Sequence, residues 1–159
     1  MGQKANPIGL RVGIIRSWDS QWFADKKNYG KLLHQDLAIR KMLGKKLSDA
    51  SVSRIEIHRT LNQVELHIHT SRPGVVIGTQ GAAIEDLRHM LEKGFKEKFH
   101  INVHEVKKPY LDARIVAELV GKQVERRVPY RRACKMTIER AVESGARGIK
   151  IACAGRLNG

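Results

Sequence analysis

The sequence predicts an α+β fold, in which a small three-stranded sheet carries helices on one face. Two kinds of periodicity support this prediction. Apolar and polar residues alternate in three short segments, which is typical of half-buried strands. Apolar residues recur every three or four positions in longer segments, which is typical of amphipathic helices. The order is helix, strand, strand, short helix, loop, helix and strand, so the three strands can form one sheet.

Residues 1–17 are predicted to form an extended basic arm. The prolines and glycines of this segment interrupt any periodic pattern, and it is too short to bury a core of its own. It carries the cations Lys4, Arg11 and Arg16. Basic arms often become ordered on RNA, so we expect these three side chains to bind RNA rather than to belong to a free tail.

The next part of the chain begins with aromatic residues and continues as a helix. Trp18 and Trp22 are expected in the core rather than as platforms for base stacking. A helix is predicted from about Asn28 to Leu47. Its many lysines are interpreted either as a solvated face or as contacts with RNA phosphates, and both interpretations stay open.

Three strands are predicted after this helix. Residues 54–58 and residues 64–70 alternate between apolar and polar side chains, and a turn near residues 61–63 would join them as a hairpin. Residues 101–104 alternate in the same way and form the third strand.

A glycine-containing loop, Gly78-Thr79-Gln80-Gly81, enters the helix that precedes the third strand. Glycine lets a backbone approach a ligand closely because it has no Cβ. The free N–H groups at a helix start attract anions. These four residues are therefore predicted to contact a phosphate backbone.

This loop allows three interpretations. It can be a tight turn with no ligand. A dinucleotide site would need a G-x-G start and alternating βα units, which the sequence lacks. The stretch Val76-Ile77-Gly78-x-x-Gly81-x-x-Ile84 resembles the KH family, whose G-x-x-G loop clamps single-stranded nucleic acid. With the order of elements, this resemblance implies a type II KH domain over residues 18–106.

The charge of the chain points to a polyanionic partner. The net charge is +14, which suits either nucleic acid or an acidic membrane surface. Residues 51–106 carry 7 basic and 7 acidic side chains, whereas residues 107–159 carry 13 and 5. No apolar run is long enough to cross a bilayer, so no membrane association is predicted. The two cysteines have no metal-type spacing, which favours a reducing, intracellular compartment.

Neither a catalytic nor a metal site is predicted. His34, His89 and His100 each stand alone in the sequence, and no nucleophile–base pair is visible, so we expect no enzyme activity and no cofactor. His67 and His69 share a strand face, but no cysteine or carboxylate cluster completes a ligand set there.

Residues 107–159 are predicted to begin an α/β domain with two helices and a strand at 149–154. One strand and two helices cannot bury a sheet face, so we expect further strands or another chain to complete it. Cys134, Ile138, Ala141 and Val142 are expected to face inward on the second helix, with Arg131, Arg132 and Lys135 on its other side. These three cations, together with Arg126 and Arg127, would repel each other unless an anion lies close.

Several motifs occur in an order that resembles one family from Met1 to Gly159. They are MGQK-NP-G-R-G, SVSRIEI, RPGVVIG-x-x-G, KKP-LDA, ERRVPYRRA and the closing GIKI and GRLNG. The chain resembles the S three family of bacterial-type small-subunit ribosomal proteins. The resemblance implies a type II KH domain joined to an α/β domain, bound to ribosomal RNA in the head of the subunit.

The resemblance also implies partners and site residues. Neighbouring proteins would be S ten and S fourteen, with S four and S five near the tunnel through which messenger RNA enters. Arg131, Arg132 and Lys135 match the group that lines this tunnel, holds messenger and assists its unwinding. Other expected RNA contacts are Lys107, Lys108, Arg126, Arg127 and Arg156. A cytoplasmic ribosome is the implied location, with an organellar ribosome as the other possibility, and a free-standing KH regulator is the alternative function.

This sequence departs from the family in two respects. Family members commonly carry lysine inside the G-x-x-G loop, where Thr79 and Gln80 stand here. The loop is therefore expected to bind RNA less strongly and to serve partly in packing. The family sequence also continues through further strands beyond the point where Gly159 stands, so the second domain is expected to be incomplete.

Overall fold

One sheet organises the computed structural model, which describes residues 3–60 and 63–156. Within these residues the sheet has four strands in the order β1-β2-β3-β4. The strands are β1 (Ser20–Gln21), β2 (Val52–Arg59), β3 (Val64–Thr70) and β4 (Phe99–Glu105). The helices are α1 (Pro7–Arg11), α2 (Lys26–Lys46), α3 (Pro73–Ile77), α4 (Ala82–Phe95), α5 (Ala113–Glu125) and α6 (Tyr130–Glu143). The predicted α+β class is confirmed.

Strands β2 and β3 are antiparallel, with Ile57 opposite Leu66. The predicted turn between them includes residues 61 and 62, which lie outside the described residues. Strands β3 and β4 are parallel, with Leu66 opposite Ile101. Parallel neighbours need a crossover connection, which α3 and α4 provide here. The three predicted strands and their order are confirmed.

The two-residue strand β1 adds a fourth strand to the three that the sequence predicts. Ser20 lies opposite Ile57 in a parallel pairing. The backbone N–H of Ile57 donates to the carbonyl of Asp19 at 2.9 Å. Two residues are too few to show an alternating pattern, so sequence periodicity cannot predict this strand.

Helices α2, α3 and α4 cover one face of the sheet, as predicted. The side chains that meet there are almost fully buried, and the largest of them are Ile39, Leu43, Ile57, Leu66, Ile68, Val76 and Leu91. Burying each such side chain contributes about 1.5–3 kcal/mol to folding. This layer is the main hydrophobic core.

A buried polar network joins α2 to the sheet. Asp36 on α2 is 2% exposed, and its carboxylate accepts two hydrogen bonds from Arg59 on β2, at 2.7 and 2.9 Å. The same carboxylate accepts the Trp22 indole N–H at 2.8 Å and the Ser20 hydroxyl at 3.1 Å. These bonds fix the segment around β1 against the core.

Helix α5 is attached to the rest of the fold near both its ends. The Asp112 carboxylate caps its first turn by accepting the N–H groups of Arg114 and Ile115. Asp112 also accepts the hydroxyl of Ser53 on β2. Near the other end, the Lys122 ammonium donates to the carbonyl of Ser48.

Helix α6 packs on α5 through small side chains rather than through the predicted apolar ones. Its buried residues are Ala133, Thr137 and Ala141, spaced four apart. Of the residues expected to face inward, Ala141 is buried and Cys134 is half-buried, whereas Ile138 and Val142 are 37% and 53% exposed. Small residues let two helices approach closely, so packing selects this stripe.

The predicted strand at 149–154 is wrong. These residues have no strand pairing among the described parts of the chain, because an isolated extended segment has no partner for its backbone groups. They run beside α5 instead, where Val120 and Val124 form one wall of a cavity of about 470 Å³ and Ile149 and Ile151 form the other.

Two expectations for the N-terminal region also need correction. The arm is not fully extended, because Pro7–Arg11 form the short helix α1, whose first N–H groups donate to the Asn6 side chain. Trp18 is 67% exposed and therefore lies outside the core, while Trp22 is half-buried at the Asp36 carboxylate. Among the described residues, no helix combines the length and the hydrophobicity needed to span a bilayer.

Candidate nucleic-acid interface

At Gly78, the glycine-containing loop has a backbone conformation that only glycine adopts readily. Its φ of 74° and ψ of −177° lie in a region that residues with a side chain essentially avoid. A Cβ added there would lie 2.6 Å from the Cβ of Ala83 on α4. Close packing of the loop on the first turn of α4 therefore explains this glycine.

The loop also turns through left-handed conformations at Gln80 and Gly81, which have φ values of 54° and 83°. Thr79 and Gln80 are exposed, so both can contact a ligand. The sequence has no lysine or arginine from Pro73 to Leu87, however. The loop offers backbone and hydroxyl groups to a phosphate but no formal positive charge.

Helix α6 presents the three cations that the sequence singled out. Arg131, Arg132 and Lys135 are all exposed. None of them forms an ion pair with any described carboxylate. Arg131 and Lys135 are one turn apart, about 6 Å along the axis, whereas Arg132 points about 100° further around the helix. The structure therefore places an uncompensated cationic surface on α6.

A shallow cavity of about 510 Å³ lies beside part of this surface. Arg131 and Lys135 line it together with Cys134 and, from the C-terminal segment, Cys153. The two sulfur atoms are 3.4 Å apart. Burial is the main cause that raises the pKa of the Cys134 thiol, with the contact to Cys153 adding to it. The thiol is therefore protonated at neutral pH, so the charged groups that line this cavity are Arg131, Lys135 and the carboxylate of Glu139.

Tyrosine side chains hold two arginines in place, which the sequence did not reveal. Arg131 Nε donates to the Tyr130 hydroxyl at 3.1 Å, and its guanidinium lies 5.7 Å from the ring centroid. This hydrogen bond is the main cause that raises the pKa of Arg131, so the group stays charged. Likewise, Arg140 Nη1 donates to the Tyr110 hydroxyl at 3.2 Å, and the Arg140 guanidinium lies 5.9 Å from the Tyr110 ring centroid. The adjacency of Tyr130 and Arg131 was the only signal in the sequence.

The turn between α5 and α6 adds two cations next to this surface. Arg126 and Arg127 are exposed, and Arg127 adopts a left-handed backbone with φ of 63°. Its N–H donates to the carbonyl of Val124 at 2.9 Å. The turn thus carries two further charges in the sequence immediately before α6.

The remaining predicted RNA contacts lie on other parts of the surface. Lys4, Arg11, Lys107, Lys108 and Arg156 are exposed. Arg16 is different, because it is half-buried and pairs with Asp19 at 3.0 Å. Its charge is therefore partly compensated within the chain.

The sheet face opposite the core carries several histidines. His67 and His69 are both half-buried there. Burial is the main cause that lowers the pKa of each, and the nearby charges of His58 for His67 and of Arg54 for His69 lower it further. The sequence predicts no carboxylate cluster that would complete a metal site here, but single carboxylates do lie close to both rings. Glu65 Oε2 is 3.8 Å from His67 Nε2, and Glu56 Oε1 is 3.4 Å from His69 Nε2. Strand pairing also sets Glu65 directly opposite His58.

Comparison with known proteins identifies the family. The profile of the KH domain family matches residues 38–111, and that described as ribosomal protein S3, C-terminal domain, matches residues 120–159. The small ribosomal subunit protein uS3 of Desulforamulus reducens is 53% identical over 159 residues, which are all of this chain and 72% of that protein. The uS3 protein of Pelotomaculum thermopropionicum is 52% identical over the whole chain and 69% of its own length. That of Enterococcus faecalis is 54% identical over the whole chain and 72% of its own length.

These matches agree with the order of motifs in the sequence and with the α+β fold around the G-x-x-G loop. The identity extends over the full chain and more than two thirds of each relative. The chain belongs to the family of the small ribosomal subunit protein uS3.

Proposed function

We propose that this chain is a structural constituent of the small ribosomal subunit and binds ribosomal RNA. Its relatives are named as proteins of that subunit, and its net charge of +14 suits an RNA partner. Its role is binding rather than catalysis. Its place is the ribosome of the cytoplasm, with an organellar ribosome as the alternative. The KH loop, Lys4, Arg11, Lys107, Lys108, Arg126, Arg127 and Arg156 would contact ribosomal RNA.

The cationic surface of α6 would hold messenger RNA where it enters the subunit. The observation that carries this proposal is that Arg131, Arg132 and Lys135 are exposed and have no ion-pair partner among the described residues. Cations along a helix bind the phosphates of a single strand without reading its bases. Any assistance to unwinding would be passive. Proteins S ten and S fourteen would be neighbours, with S four and S five near the same tunnel.

The salt dependence of single-strand binding tests the role of α6. The full chain and the triple variant Arg131→Ala, Arg132→Ala, Lys135→Ala are titrated with an unstructured single-stranded RNA at several salt concentrations. Each phosphate contact with a single strand contributes about 0.7 to the slope of log K against log salt. The triple variant should therefore lose about 2 from that slope, since three contacts are removed.

A matched variant controls for the loss of three charges. Arg88→Ala, Lys93→Ala, Lys98→Ala removes three cations from the neutral middle of the chain, where Arg88 already pairs with Glu85 and Glu92. For this variant, the slope of log K against log salt should stay close to that of the unmodified chain. Equal slopes for the two triple variants would reject a specific role for α6.

The ribosomal location has its own test. Tagged full chain expressed in bacterial cells should sediment with small subunits in a sucrose gradient. Recovery only in the light fractions would contradict the proposal and would favour the alternative of a free-standing KH regulator.

A further inference from the structure

The face of the sheet that the helices leave open is rich in histidine. His58 on β2, His67 and His69 on β3, and His100 and His104 on β4 alternate with the residues that face the core. The chain has seven histidines in total, so most of them lie on this one surface.

Strand pairing brings two of these histidines to a carboxylate. His58 and Glu65 are directly opposite each other across the β2–β3 pair, and His67 is two residues beyond Glu65 on the same face. One ligand atom from each of these three side chains lies within 4.8 Å of the others. His67 Nε2 and Glu65 Oε2 are 3.8 Å apart, and the two imidazole ring centroids are 4.7 Å apart.

One nitrogen of each imidazole in this cluster lacks a hydrogen-bond partner among the described residues. His58 Nε2 and His67 Nε2 are buried atoms with no hydrogen bond to any described residue. Buried polar atoms are normally paired, and an unpaired one calls for an explanation such as an ion. A metal ion would satisfy both nitrogens with one partner.

The outer atoms of two of these side chains are already held in place. His67 Nδ1 lies 3.0 Å from His104 Nε2, and the Gln63 amide donates to Glu65 Oε1 at 3.0 Å. With the His67 proton on Nδ1 and shared with His104, the Nε2 lone pair points into the cluster. Contacts of this kind orient the ligands of metal sites and fix their tautomers.

We propose that His58, Glu65 and His67 form a binding site for a divalent transition-metal ion such as Zn²⁺ on the open face of the sheet. Two imidazoles and one carboxylate are a set that Zn²⁺ accepts, with a fourth position left to water. With metal–ligand distances of about 2.0–2.1 Å, tetrahedral ligand atoms are about 3.3–3.4 Å apart. The cluster therefore needs to contract by about 1.5 Å at most, which side-chain rotation can supply.

Binding of Zn²⁺ alone to the full chain, prepared without a histidine tag, tests this site. The measurements are calorimetric titration at pH 7 and the visible absorption of the Co²⁺ complex. We expect one ion per chain and the strong visible bands of a four- or five-coordinate Co²⁺ site. Outer-shell changes cost about 10- to 100-fold in metal affinity. The Zn²⁺ affinity of His104→Ala should be lower by a factor in that range, and that of His58→Ala should be lower still.

Glu65→Gln tests the carboxylate with little change of shape, so a folding defect of His58→Ala leaves the proposal testable. His89→Ala on α4 is the matched control, since His89 is 73% exposed and lies on a helix. The His89→Ala variant should bind Zn²⁺ with the same affinity as the unmodified chain. The proposal is overturned if the chain binds no Zn²⁺, or if His58→Ala and Glu65→Gln bind it as tightly as His89→Ala.

Discussion

Removing the Asp36 carboxylate tests whether the buried network between α2 and the sheet stabilises the fold. Asp36→Ala leaves Arg59, whose side chain is only 7% exposed, without the Asp36 Oδ1 atom that accepts its Nε and Nη2 hydrogen bonds. Breaking a buried ion pair by removing one partner costs about 3–5 kcal/mol. Glu97 still pairs with Arg59 at 2.8 Å, so the lower end, about 3 kcal/mol, applies. The unpaired Trp22 N–H adds about 1 kcal/mol.

Urea denaturation followed by tryptophan fluorescence measures this effect. A loss of about 4 kcal/mol with a slope of about 2 kcal/mol per molar urea lowers the midpoint by about 2 M. Glu97→Ala is the control, because its carboxylate is 34% exposed and Arg59 would keep Asp36. It should cost about 1 kcal/mol or less. If both variants lose the same small amount, the reasoning about the buried network is refuted.

Three further changes test the loop and the cap of α4. Gly78→Ala should destabilise the fold by about 1–3 kcal/mol in urea denaturation, because its backbone region excludes a Cβ. Gly74→Ala, which has open space around it, should cost less, and equal losses would contradict the packing argument. Adding cations by Thr79→Lys and Gln80→Lys should tighten single-stranded RNA binding and steepen its salt slope by about 0.7 per new contact. An unchanged slope would show that the loop does not meet phosphate. Lys96→Gly should raise stability by about 0.5–1 kcal/mol, because Lys96 ends α4 with φ of 58°, and a lower melting temperature would count against this reasoning.

The sequence predicted the parts of the fold that repeat a pattern over many residues. Residues 54–58, 64–70 and 101–104 alternate between apolar and polar side chains over four to seven positions, which is enough to identify β2, β3 and β4 and their buried faces. Strand β1 has two residues, and its place depends on the hydrogen bonds that Asp36 accepts from Ser20 and that Arg40 donates to Asp19 and Ser20, from positions distant in sequence. Tertiary contacts of this kind leave no local periodicity.

The exposure of Arg131 and Lys135 could be predicted from helix periodicity, but the packing of α6 could not. This helix has two possible inward stripes, one of small residues around Thr137 and one of larger apolar residues around Ile138. Hydrophobicity favours the second, whereas close approach to α5 selects the first. The pairing of His58 with Glu65 was also hidden, because it depends on strand register.

The two attachments of α5 have a mechanical consequence for the cationic helix that follows it. Asp112 and Lys122 are ten residues apart, so the two anchor points are separated by about 15 Å along the axis. Each reaches the α2–β2 region, one at Ser53 and the other at Ser48. A helix held at two points cannot rotate about either of them, so α5 gives α6, which packs on it, a fixed orientation relative to the sheet.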